Sequence, residues 1–296
     1  MKTKSRSFIA VDILYILMII LPLLAGIVLK VLTTPQSEGI SVSGARIFFT
    51  LNTPVQKLPI TESQINSWLV IIAITGLCLF LTHGMTAKGG TKRQHAAEWI
   101  VEKVEAMTIG NMGEYFSSFT PFIAAIIGLS AFSSLLSLLG LYPPTSDVNI
   151  VGGWAILVFF LITYYKMKCG PLHYMKSFCE PVLLAPMNVI SELATPISMA
   201  FRHYGNVLSG AVISVLVGAG LQGLSKMVLG WLPGFLGEFP FLQIGLPAIL
   251  SIYFDVFSGC LQAYIFAMLT MLYVSNGFPA DEYALRKQKK NKKAKA

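Results

Sequence analysis

Charge is scarce in this chain. Only 12% of its 296 residues are Asp, Glu, Lys or Arg, about half the share of a soluble globular domain. Cysteine and histidine are scarcer still, at four each. Cys78, Cys169, Cys179 and Cys260 have no metal-ligand spacing, and the histidines form no HxxxH pair. A Walker A loop, a dinucleotide fingerprint and a nucleophile elbow are all missing from the sequence. The sequence offers no machinery for covalent chemistry of its own, and no cofactor or metal is expected.

What is abundant is apolar length. Hydrophobic residues make up 54% of the chain, and several windows reach the roughly 20 apolar residues that cross a bilayer. The pattern predicts an all-α integral membrane protein with about six transmembrane helices. The first spans 8–32. Its apolar stretch is long for a signal peptide and no clean small-residue cleavage site follows, so it reads as a retained span. A five-span mature chain after N-terminal cleavage is the alternative. Residues 33–64 are polar and turn-rich, with a short alternating stretch that suits extended structure. Spans follow at 65–83, 119–142 and 150–165, the last two joined by the outer turn 143–149, where paired prolines punctuate the helix end.

Residues 95–112 have mixed polarity at helical spacing, as in a helix lying at the interface. Residues 170–185 read as a second, shorter one. Two long segments close the chain, 186–224 and 246–274, joined by the Gly- and Pro-rich stretch 225–245 that contains Trp231. At 1.5 Å per residue the first reaches roughly 55 Å, far beyond a hydrocarbon core of about 30 Å. It must tilt strongly, break near Pro196, or leave the bilayer. The chain thus divides into 1–60, a span with an outer segment; 61–185, peripheral and interfacial helices; 186–275, a long tilted hairpin; and 276–296, a basic tail.

The formal charge of +8 is distributed by topology. Lys2, Lys4, Arg6, Lys88, Lys92, Arg93, Lys103, Lys166, Lys168, Lys176 and the seven basic residues from Arg286 to Lys295 fall on one side of a six-span arrangement. Lys30, Arg46, Lys57 and Lys226 fall on the other. Positive charge marks the cytoplasmic side, so both termini are placed in the cytoplasm and 33–64 outside. The tail reads as a topology signal and lipid-headgroup contact, not as a nucleic-acid arm.

Against this apolar background a few polar side chains carry the functional argument. Arg202 lies inside the long segment with no acidic residue close in sequence, and a guanidinium does not shed its proton. At membrane depth it needs a polar cavity or a partner. Asn206 is one helical turn further on the same face, and Gly210 continues that face and permits close approach. In the last segment Asp255 and Gln262 share a face through their seven-residue spacing, with Gly259 between them and Ser251 extending the strip. Two antiparallel helices can set Arg202 and Asn206 against Asp255 and Gln262. An acid held between a desolvating span and a fixed cation can take and release a proton. Gln262 and Asn206 exchange hydrogen bonds without changing charge.

Glu192, at the cytoplasmic beginning of the arginine segment, is placed to line an inner aqueous passage. Asp147 and Asn149 stand at the outer turn, where Asp147 caps the helix that follows. His203 and Tyr204 point to other helical faces than Arg202. His203 is read as joining a water network or satisfying a partner helix, not as the proton carrier.

These residues come in an order that resembles subunit a of F-type ATP synthases, across 61–273. The carriers are TESQINSWLV, the PPTSDVN turn, GPLHYMKSFCEP, PMNVISELATPISMAFRHYGNVLSG and LQAYIFAMLTMLY. The resemblance places the family's stator arginine on Arg202, before Gly205–Asn206, and its final-helix glutamine on Gln262. It places an ionisable or proton-relaying group on Asp255 and a common acidic position on Glu192. Asp147 and Asn149 match the outer turn. Two departures stand out: His203 and Tyr204 replace a pair that is commonly apolar, and Ala211 stands where some relatives carry an acid.

The resemblance implies a stator beside a rotating ring of c subunits, held with b-type peripheral stalk subunits and lipids in a bacterial inner membrane. It implies two half-channels, the hairpin facing the rotor, and Arg202 preventing a short circuit between them. ATP chemistry belongs to other subunits. The ion is expected to be H+, with Na+ as the alternative set by the ring. Two other classes are the alternatives: a secondary ion or solute transporter, which predicts an internal repeat that the chain does not display, and a structural subunit whose polar residues only lock helices together.

Overall fold

The computed structural model describes residues 6–33, 44–54, 56–87, 90–168, 185–229, 245–276 and 278. The expected interfacial helix at 170–185, the Trp231 stretch and the basic tail fall outside the described residues. Among the described residues six helices are long and apolar enough to cross a membrane, as the hydropathy pattern predicts. They are α1 (Arg6–Thr33), α2 (Glu62–Thr82), a third built around α4 (Thr120–Leu135), α5 (Val148–Lys168), α6 (Ala185–Leu229), and a final one ending in α8 (Gly259–Asn276).

The outer segment before α2 forms a hairpin from β1 (Ile47–Asn52) and β2 (Lys57–Thr61), paired antiparallel. This is the extended structure its alternating pattern predicts. The hairpin runs straight into α2, whose Glu62 N–H donates to the Arg46 carbonyl at 2.8 Å.

Between α2 and α4 lies α3 (Lys92–Met112). Thr91 caps it by accepting from Gln94 N–H, and Gly113, at φ 86°, takes the left-sided backbone that ends it. Ala97, Thr108 and Met112 are buried, while Trp99, Ile100 and Val101 point outward. The third span is composite, with a 3-10 turn (Glu114–Phe119), α4, and a second 3-10 turn (Leu136–Leu139) that stops at Gly140, φ 71°.

The longest element is α6, a continuous helix of 45 residues. It does not break at Pro196. Of the three ways to fit it to a bilayer, tilting and overhang remain. The final span, by contrast, is not a uniform α-helix. A short α7 (Leu246–Ser251) passes into a π-helical segment (Ile252–Ser258) before α8 begins.

The main core gathers Phe116 and Phe119 of the first 3-10 turn, Ile123, Val158, Ile162, Met199, Phe266, Met271 and Val274 from α4, α5, α6 and α8, and Phe278 just beyond α8. A second, smaller cluster of Val70, Leu136 and Leu141 ties α2 to the outer end of the third span. Small residues set the α1–α2 crossing. A Cβ on Gly76 would lie 2.9 Å from Met18 Cβ, so glycine there lets the backbones approach. At the inner end Asp12 Oδ1 accepts from Arg93 Nη1 and meets His83 Nδ1, both at 2.9 Å. Sequence reading missed this clamp, because its three members come from three separate segments.

Candidate functional site

The site is built where α6 crosses the final span. Gly210 is buried there, and a Cβ on it would lie 2.9 Å from Phe254 Cβ. The close approach expected of this glycine is realised against the π segment. One turn nearer the cytoplasm Asn206 Nδ2 donates to Ser258 Oγ at 2.6 Å. Nothing in the sequence singles out Ser258, since one small hydroxyl in an apolar span carries no signal. On the opposite side of the final span Gly259 is pressed against Ser134 of α4, where a Cβ would lie 2.6 Å from Ser134 Cβ.

Asp255 sits within the π segment, half-buried, and accepts a hydrogen bond from Ser251 Oγ. Gln262 lies beyond that segment and is only 6% exposed. A π turn takes about one residue more than an α turn, so the common face that seven-residue spacing gives an ordinary helix is twisted apart here. The structure thus joins Ser251 to Asp255 and Asn206 to Ser258. Among the described residues no hydrogen bond joins Arg202 to Asp255 or Gln262.

Arg202 is exposed. It stands beside a stripe of α6 in which Ile190, Leu193, Ile197 and Phe201 are each more than half exposed. The final span carries a matching open stripe, with Ile249, Ile252, Tyr253 and Phe257 each more than half exposed. Arg202 has no ion-pair partner among the described residues. Its neighbour His203 is the reverse, wholly buried, with Nε2 3.2 Å from Ser130 Oγ. Tyr204 is half-buried.

Toward the cytoplasmic end, Glu192 is gripped by Lys166 of α5, with Nζ 2.6 and 2.7 Å from the two carboxylate oxygens. The pair borders a cavity of about 240 Å³ lined also by Ser191, Thr195, Pro196, Tyr273 and Asn276. Pro196 has no N–H to give the carbonyl of residue 192, which leaves another acceptor among the lining residues. Lys166, counted in the sequence only as a topology charge, therefore also belongs to this group.

At the outer end Asp147 accepts from the backbone N–H of Asn149 at 2.9 Å and from the Asn149 side chain at 3.2 Å. This is the cap expected at the start of α5. Asp147 also accepts from Ser63 Oγ of α2, and Asn66 donates to the Tyr142 carbonyl at 2.8 Å. The outer turn is held to α2 by these bonds, which the sequence did not reveal.

Comparison with known proteins assigns the chain to a family. The family described as ATP synthase A chain matches residues 65–275. ATP synthase subunit a of Trichlorobacter lovleyi is 31% identical over 236 residues, covering 76% of this chain and 92% of that protein. The subunit a of Desulforamulus reducens is 30% identical over 228 residues, covering 75% and 80%. That of Bacillus pumilus is 30% identical over 236 residues, covering 74% and 93%. With the match spanning more than two thirds of its length, the chain belongs to the ATP synthase subunit a family.

Proposed function

We propose that Arg202 is the electrostatic divide between two proton half-channels, and that α6 with the final span forms a hairpin facing a ring of c subunits. The chain is a non-catalytic, multi-pass inner-membrane subunit of the Fo stator that couples proton flow to rotation. The observation that carries the site assignment is the exposure of Arg202 beside an open apolar stripe of α6. A permanent cation facing lipid tails at membrane depth is costly. A passing surface that presents carboxylates satisfies it, and the matching stripe on the final span widens the face that such a surface covers.

In this reading a proton enters from outside past Asp147, Ser251 and Asp255 and neutralises a ring carboxylate. The neutral group then travels through lipid. On its return it meets the cavity bordered by Glu192, Lys166, Thr195 and Asn276, and releases the proton to the cytoplasm. Arg202 keeps the next carboxylate ionised and blocks a direct proton path. Asn206 and Gln262 hold the polar surface between the two halves. Each charge crossing about 100 mV gains about 2.3 kcal/mol, which is the source of the work. The partners are the c ring, b-type stalk subunits and lipid, and the ring carboxylate's surroundings decide between H+ and Na+.

The test is Arg202→Ala in fully assembled complexes. Proton-driven ATP synthesis is expected to vanish while the subunit still inserts. Near-parental synthesis at normal subunit ratios would remove Arg202 from this role.

A further inference from the structure

We infer that His203 is a positioning residue that fixes the rotation of α6 and so aims Arg202 at the open face. Consecutive residues of an α-helix point about 100° apart, so the direction of Arg202 is set by what its neighbour does. His203 is 0% exposed, and its ring lies edge-on to Trp154 of α5 at 6.2 Å and to Phe266 of α8 at 5.8 Å. Its Nε2 meets Ser130 Oγ of α4 at 3.2 Å, and its Nδ1 has no hydrogen-bond partner among the described residues.

The inward seam of α6 around Arg202 runs Met199, His203, Asn206, Gly210, all buried except the half-buried Asn206. Met199 packs without directional bonds, and Gly210 limits only how near Phe254 can come. His203 and Asn206 alone on this seam bond to other helices. One bond goes to α4 and the other to the final span, one residue and four residues beyond Arg202. Two directional bonds to two different helices restrict rotation about the axis where apolar packing tolerates it. Ser130 is itself fully buried, and Ser134, one turn along α4, sits against Gly259. The same face of α4 therefore references both arms of the hairpin.

This rests on the proposed role of Arg202, and the experiment separates the two. In membranes with normal amounts of assembled complex, Arg202→Ala, His203→Leu, His203→Gln, His203→Asn and Ser130→Ala are compared for proton-driven ATP synthesis and for passive proton leak. Loss of synthesis in Arg202→Ala sustains the divide; its absence overturns that reading and this one together. With the divide sustained, His203→Leu and Ser130→Ala are each expected to lower synthesis about fivefold to tenfold, the scale of one lost hydrogen bond, and to raise leak. Gln carries a polar atom to the Nε2 position and should restore most activity. Asn reaches only the Nδ1 position and should not. The double variant His203→Leu/Ser130→Ala should be no worse than either single one. Parental synthesis in Ser130→Ala, or Leu outperforming Gln, would overturn the positioning role. Should His203→Leu fail to assemble, Ser130→Ala decides.

Discussion

Lys166 Nζ lies within 2.7 Å of both carboxylate oxygens of Glu192, at the mouth of a mixed-polarity cavity between α5 and α6. Both side chains are less than a quarter exposed. Neutralising one member of such a pair removes a charge partner from the other in a poorly solvated place. Glu192→Gln alone is therefore expected to slow proton-driven ATP synthesis more than the double variant Glu192→Gln/Lys166→Gln, because the ammonium then loses its carboxylate neighbour in the proposed exit passage and repels the departing proton. Synthesis rates in inverted membrane vesicles decide this. A double variant slower than Glu192→Gln would show that the pair does not act as a unit.

Asp255 is bonded to Ser251 inside the π segment. Asparagine keeps its size and removes its ability to titrate, so Asp255→Asn should reduce proton entry while assembly stays near normal. Glutamate should retain more activity than asparagine where its longer side chain fits. Equal synthesis rates for parent and asparagine forms across a pH series would rule out a relay at this position.

The spans were legible in the sequence because burial in lipid demands long apolar runs with every backbone group bonded internally. Arg202, Glu192 and Asp255 were legible for the same reason, as charges against an apolar background. Ser258, Ser130 and Ser63 were not, since one hydroxyl in a span leaves no periodic trace and its partner lies far along the chain. The π segment was invisible too. It changes the direction of Asp255 relative to Gln262 without altering composition or hydropathy. The helix across Pro196 shows the converse, a proline that marked a possible break and left the helix continuous.

Gly210 lets α6 approach the final span closely, since a Cβ there would lie 2.9 Å from Phe254 Cβ. Gly210→Val puts a branched side chain where Phe254 already stands, and overpacking of this kind costs about 1–3 kcal/mol. Lower thermal stability of the complex in detergent is expected, with partial recovery when Phe254→Ala is added. If the double variant is no more stable than Gly210→Val, the clash lies elsewhere.

Asp12, which lies before the family match of residues 65–275, ties α1 to α2 and α3 through His83 and Arg93 within it. Both Asp12 and Arg93 are 15% exposed, so Asp12→Ala leaves a guanidinium short of a charged acceptor. Hydrogen bonds to charged groups are worth about 1.5–3 kcal/mol, and a loss of that size should appear as earlier thermal release of α1. Limited proteolysis across the α1–β1 connection, followed with temperature, measures it. An unchanged cleavage profile would mean that the glycine crossing alone holds α1 in place.

The six spans among the described residues, if all cross, set the start of α1 and the end of α8 on one side, and the distribution of Lys and Arg predicts that this side is the cytoplasm. Thr50 lies exposed in the outer hairpin, and Ser275 stands near the C-terminal end of α8. With Cys78, Cys169, Cys179 and Cys260 replaced, Thr50→Cys should react with an impermeant thiol reagent in spheroplasts with an intact inner membrane. Ser275→Cys should react only after permeabilisation. The reverse pattern would invert the orientation. Reaction of both without permeabilisation would require an odd number of crossings between the cytoplasmic face and one of these sites to be lost, and with it the six-span arrangement.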